Sequence, residues 1–140
     1  MAVPVSAVKR KNPSNPQAPA KWYAHAQASG EANFDSLCRI AAKGRTVTQA
    51  DISAALYAVV EVMEDLLMEG KIVRLGNFGS FQVVVSSHPA ISEADFNVSL
   101  VRGAKLAFRP GPALAQQVAN LSYTHVPQLP VKKKKESAGA

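Results

Sequence analysis

The chain has 140 residues, of which 47% are hydrophobic and 19% charged, with a formal net charge of +6. That length and composition support one domain with tails and a modest core, and exclude a disordered chain. The single cysteine, Cys38, excludes an intramolecular disulfide and fits a reducing compartment, and no run approaches the ~20 apolar residues of a membrane span.

The start, Met1-Ala2-Val3-Pro4-Val5, has no apolar h-region, so a signal peptide is not expected and the cytoplasm is the default compartment. Val3, Val5 and Ala7 alternate with Pro4, Ser6 and Val8 as in a strand, and Pro4 argues for an edge position. Lys9 to Ala20 is a Pro/Asn-rich loop that opens with Lys9, Arg10 and Lys11. Lys21 to Ala26 then returns as a second strand, whose Trp22 is expected to pack. Residues 1–28 therefore read as an N-terminal extension, a strand hairpin with a long loop.

Ser29 to Lys43 reads as a first helix, with Phe34, Leu37, Cys38, Ile40 and Ala41 at helical spacing and Lys43-Gly44 as its stop. Thr48 opens a second helix through Thr48-x-x-Asp51, a capping box with Asp in place of the preferred Glu or Gln. Ile52, Leu56, Val59, Val60, Met63, Leu66 and Leu67 form its apolar stripe, and Gly70 ends it. The stripe is wider than one small subunit can bury. That predicts a homodimer, with Leu56, Val60, Met63 and Leu67 in the core or dimer contact; the alternative is cover by the N-terminal segment.

Lys71 to Phe81, KIVRLGNFGSF, is a strand, a Gly76-Asn77-Phe78-Gly79 reversal and the start of a second strand. Phe78 is predicted in the turn and Phe81 in the sheet. Ser86 to Ala104 is less regular, with a short helical turn over Ile91 to Phe96. Val98 to Phe108 alternates as a strand, and Arg109-Pro110-Gly111-Pro112 leads into a last helix over Ala113 to Asn120. Leu121 to Val126 alternates as a final strand, so the main domain is placed at 29–126. Residues 127–140 read as a flexible tail with the basic block Lys132, Lys133, Lys134 and Lys135.

Catalysis finds no support in these residues. His25, His88 and His125 lack metal-ligand spacing to one another or to Cys38. Glu64-Asp65 and Glu93/Asp95 read as solvated acids, and Gly76-Asn77-Phe78-Gly79 lacks the Lys-Ser/Thr of a phosphate-binding loop. No enzyme activity, metal, cofactor, small-molecule substrate or membrane is expected. The charge pattern points instead to a polyanion. Acids concentrate in the helical segment between Glu31 and Glu69, whereas the flanking segments are basic. Arg74, Arg102, Lys105 and Arg109 lie on or beside predicted strands and suit salt-dependent contact with duplex DNA, with Lys132 to Lys135 as an electrostatic arm. The Gly111 and Ala113 amides at a helix start are a further candidate anion site. RNA or another polyanion is an alternative partner.

Three segments together resemble the HU and integration-host-factor family of bacterial DNA-bending proteins. They are Thr46-Val47-Thr48-Gln49-x-Asp51-Ile52 at the helix junction, Lys71 to Phe81, and Lys105-Leu106-Ala107-Phe108-Arg109-Pro110-Gly111-Pro112-Ala113-Leu114. The flanks, Lys9 to Tyr23 and Leu121 to Val126, are similar to those of HU-like proteins of Bacteroidetes. The resemblance implies an α+β fold of two N-terminal helices, an antiparallel sheet with an arm, a short C-terminal helix and extra terminal strands. It implies an intertwined homodimer that binds double-stranded DNA with little sequence preference as a nucleoid-associated protein. Arg74, Arg102, Lys105 and Arg109 would face DNA, and Phe78 and Phe81 would pack at the dimer saddle. One departure stands out: the arm offers His88-Pro89 and an acidic Ser92-Glu93-Ala94-Asp95 where the family carries an Arg-Asn-Pro wedge. A dimerisation or protein-interaction module on the same scaffold, with weak DNA binding, is the rival reading.

Overall fold

The computed structural model describes residues 2–128, which divide into two compact units. One unit is Ala32–Asn120 and the other joins the residues up to Glu31 with those from Leu121 on.

In the first, α1 (Phe34–Ala42) begins later than its periodicity predicts. Ser29 and Gly30 are poor helix formers, whereas Asn33 caps the helix by accepting from the Ser36 N–H at 2.9 Å. α2 (Gln49–Met68) opens on the predicted box: Thr48 Oγ1 accepts from the Asp51 N–H at 3.2 Å, and Asp51 Oδ2 accepts from the Thr48 N–H at 3.3 Å. Asp is long enough to close it. At the other end Gly70 donates to the Leu67 carbonyl and Lys71 to that of Leu66, the paired bonds of a Schellman stop.

Phe34 and Tyr57 pack α1 on α2 with ring centroids 4.2 Å apart. Little else in this unit is deeply covered. Cys38 and Leu67, at 1% and 8% exposure, are the buried apolar side chains among the described residues. Leu56 and Met63 are half-buried, while Val60 is exposed, as are Tyr57, Val59, Val62 and Met68. α2 thus carries apolar groups around most of its circumference. A helix of that kind belongs inside a protein.

β3 (Val73–Leu75), β4 (Gly79–Ser87) and β5 (Val101–Pro110) form an antiparallel sheet in the order β3-β4-β5. The Leu75–Phe78 turn is closed by the Phe78 N–H on the Leu75 carbonyl at 3.1 Å, with Gly76 at φ 51°. β5 starts later than predicted because Asn97 accepts from the Ser99 N–H at 2.7 Å and holds Val98–Leu100 in a 3-10 turn. The His88 N–H reaches the Leu100 carbonyl at 2.8 Å and closes the arm below its tip. There Asp95 and Phe96 make the predicted turn, donating to the Ser92 and Glu93 carbonyls. α3 (Pro112–Ala119) follows β5, with Pro112 in the first turn, where no N–H is needed.

The second unit is a three-stranded sheet, β2-β1-β6, made of β1 (Ala2–Arg10), β2 (Lys21–Ala26) and β6 (Ser122–His125). β2 is antiparallel to β1 and β6 parallel to it, so the strand predicted at Leu121–Val126 pairs with the N-terminus of the chain. β1 is therefore central, not the edge strand that Pro4 suggested. The two ladders are staggered: β2 spans Val5–Arg10 of β1 and β6 spans Ala2–Val5. Pro4 lies just beyond the β2 ladder, where its carbonyl still accepts from the Gln27 N–H at 2.8 Å and only its missing N–H goes unused. Trp22, expected to pack, is instead exposed on β2.

Packing in the first unit is tight at Gly79, whose φ is 152°. A Cβ there would meet the Phe108 ring at 2.6 Å and overlap the Arg109 carbonyl. Gly79→Ala is expected to cost about 2–4 kcal/mol, combining overpacking and backbone strain, as read by urea unfolding followed by circular dichroism. A cost near zero would mean that β4 and β5 are not held at this separation.

Candidate nucleic-acid interface

Residues paired across a sheet share a face, and successive residues alternate. The register aligns Val73, Phe81 and Phe108 across β3, β4 and β5, and the next row aligns Arg74, Ser80 and Arg109. These rows take opposite faces. On the first, the Phe108 ring lies 4.9 Å from Phe81 and 5.5 Å from Phe78, so the turn and sheet aromatics form one cluster. The second continues with the Gln82–Ala107 and Val84–Lys105 pairs.

Arg74, Lys105 and Arg109 are thus three exposed cations on one face, with an apolar cluster behind them. An open cleft of about 180 Å³ lies beside the Arg74–Ser80–Arg109 row, lined by those residues and Pro110 among others. Arg102 is separate. The ladder passes from Ser86–Gly103 to Ser87–Val101 and leaves Arg102 as the extra residue of a bulge, a position that re-aims a side chain.

None of the four cations is neutralised by a carboxylate among the described residues, where the ion pair present is Lys71–Glu69 at 2.6 Å. Four exposed, uncompensated cations, one on β3 and three on β5, make an electropositive surface. Of the two amides predicted as an anion site at the start of α3, that of Gly111 is taken, donating to the Phe78 carbonyl at 2.9 Å. Lys132, Lys133, Lys134 and Lys135 lie outside the described residues.

The sequence reading does not single out Ser80 and Gln82, although they share the cationic face. Each stands one residue from Phe81, so alternation alone places both on the face opposite its ring. At the arm tip Ser92 Oγ donates to Asp95 Oδ2 at 2.9 Å, and Glu93 and Asp95 are exposed. The tip is acidic while the sheet below it is basic.

Residues 1–125 match the model of the HU-HIG family, described as an HU domain fused to a wHTH, Ig or glycine-rich motif. The chain belongs to that HU-like family. No curated protein matches it. A crystal structure of a Bacteroides vulgatus ATCC 8482 protein, whose bacterial DNA binding is itself an assignment, aligns with a TM-score of 0.63 at 12% identity. The alignment covers 94% of this chain and 51% of that one, so the chain spans about half the length of that protein and the likeness is one of fold. An Anabaena HU–DNA cocrystal structure aligns with a TM-score of 0.45 at 24% identity, over 63% of this chain and 98% of that one.

Proposed function

We propose that the chain binds double-stranded DNA through its phosphate backbone, with little sequence preference, as a homodimeric architectural protein of the nucleoid. The observation that carries this reading is the unpaired cationic face formed by Arg74, Lys105 and Arg109, with Arg102 in the bulge beside it. Phosphates neutralised there release condensed counterions, which favours binding at low salt and carries no sequence information. Ser80 and Gln82 are the uncharged polar side chains in the first rows of that face, a sparse set for reading base edges. Membership in the HU-like family supports the same reading. A proline wedge is not part of it, because the arm holds Glu93 and Asp95 where a basic tip would be needed.

The acidic tip favours a second reading, an HU scaffold used as a protein-interaction module. Arg102→Glu combined with Lys105→Glu separates the two: it abolishes duplex binding under the first and spares partner binding under the second.

Dimerisation is supported by the apolar surface of the Ala32–Asn120 unit. Val59, Val62, Met63, Val73 and Leu75 line an open apolar groove between α2 and β3. Val59→Asp with Val62→Asp, both at exposed positions, is expected to convert the dimer to a monomer in sedimentation at micromolar concentration. A wild-type chain that sediments as a monomer would overturn the dimer.

The central test is a mobility shift on a generic duplex across a salt series. Binding is expected to weaken steeply with salt and to survive in a chain ending at Val126. Replacing Arg74, Lys105 and Arg109 by Ala is expected to flatten the log–log salt slope by about 0.9 for each phosphate that is no longer neutralised. A flat salt response of the wild-type chain would refute backbone binding.

A further inference from the structure

The β1–β2 hairpin carries a second cationic surface, in a different unit from the first. Its register sets Arg10 directly opposite Lys21 and Lys9 directly opposite Trp22. Two cations face to face on adjacent strands repel each other. No described carboxylate pairs with Lys9, Arg10, Lys11 or Lys21, and no acid precedes Glu31 in the sequence. Two strand positions from Lys21, on the same face, stands Tyr23. Arg10, Lys21 and Tyr23 line one cleft of about 110 Å³ together with Asn12, Ala18 and Pro19. On the opposite face Trp22 is 66% exposed, and Tyr23 is 50% exposed on its own. The loop beyond them is internally bonded: Asn12 Oδ1 accepts from the Ser14 N–H at 2.9 Å, and the Asn15 N–H reaches the Asn12 carbonyl at 3.2 Å.

Exposed indole and phenol rings and unrelieved like charges are both unfavourable in water. One class of occupant removes both costs, a strand that brings phosphates and flat unsaturated rings together. A duplex brings the phosphates but keeps its bases stacked on one another, and an acidic peptide brings charge without the rings.

From this geometry we infer that the loop end of the β1–β2 hairpin is a binding site for unpaired nucleic-acid strands. Arg10 and Lys21 hold phosphates beside Tyr23 on one face and Lys9 holds them beside Trp22 on the other, the strand passing round the β2 edge so that both rings stack bases. The site goes beyond duplex binding by the β3–β4–β5 sheet and does not depend on it.

Trp22 is the only tryptophan in the chain, so its emission reports on this site alone. The experiment titrates the full chain with oligo(dT) and follows indole fluorescence. Saturable quenching that added salt reverses is expected. Tyr23→Ala should weaken the affinity roughly tenfold, as should Arg10→Ser combined with Lys21→Ser. The latter variant removes a repulsion, so its melting temperature should not fall and lost binding cannot be lost folding. The Arg74→Ala, Lys105→Ala, Arg109→Ala chain should bind duplex more weakly and keep the quenching, which makes failure of either site distinguishable. An emission unchanged by oligo(dT) would overturn the inference. So would equal quenching by a blunt duplex, or by polyglutamate, since neither offers unpaired bases.

Discussion

The close approach of β4 and β5 at Gly79 is the constraint on which the rest of the Ala32–Asn120 unit depends. Gly79 lies under the Phe108 ring with no room for a side chain, and its strained φ admits little but glycine. Packing at that point pins Phe81 beside Phe108 and fixes the register of both strands. The consequence for chemistry is direct. Slipping the register by one residue would exchange the faces, turning the Phe81–Phe108 row outward and Arg74 and Arg109 inward. That would set two guanidinium groups against the apolar cluster and put its rings in water, both unfavourable. The aromatic cluster and the cationic face are thus two results of one packing decision.

The same unit leaves its helices incompletely covered. α1 and α2 meet through Phe34 and Tyr57, yet the apolar groups of α2 continue onto surfaces left exposed among the described residues. The sheet contributes little additional cover, since Leu106 and Val85 are themselves exposed on its aromatic side. On the proposed reading a second copy would cover these surfaces, because a two-fold axis brings equal apolar surfaces together.

Much of this arrangement was legible in the sequence where a local interaction decides the structure. Thr48 and Asp51 cap α2 through side-chain atoms three residues apart, and Gly70 stops it, so spacing alone locates both ends. Along β4 alternation likewise sets Ser80 and Gln82 opposite Phe81, whereas the face of Arg74 follows only from the β3–β4 register. What failed depended on pairings between distant residues. Pro4 looks like an edge residue until the stagger of β2 and β6 shows that its missing N–H falls past one ladder. The free amide expected at Gly111 is taken by Phe78, thirty-odd positions earlier in the chain, a partner that no local pattern names. Trp22 reads as core because large rings are usually buried, but a three-stranded sheet has two faces and too few side chains to cover both.

The distribution of charge along the arm gives the cationic face a direction. Arg74 and Arg109 stand at its base, Lys105 above them and Arg102 at the bulge, after which the strand ends and Glu93 and Asp95 occupy the tip. A polyanion lying on this sheet is attracted along the lower rows and repelled beyond the bulge, within the ~10 Å over which exposed charges act at ordinary salt. Such a gradient holds a ligand against the base of the sheet instead of drawing it out along the arm. If DNA is that ligand, the sheet would serve as its seat and the arm would not act as a lever. On the proposed reading, then, compaction would come from charge neutralisation and from joining two seats in a dimer, with bending a minor part.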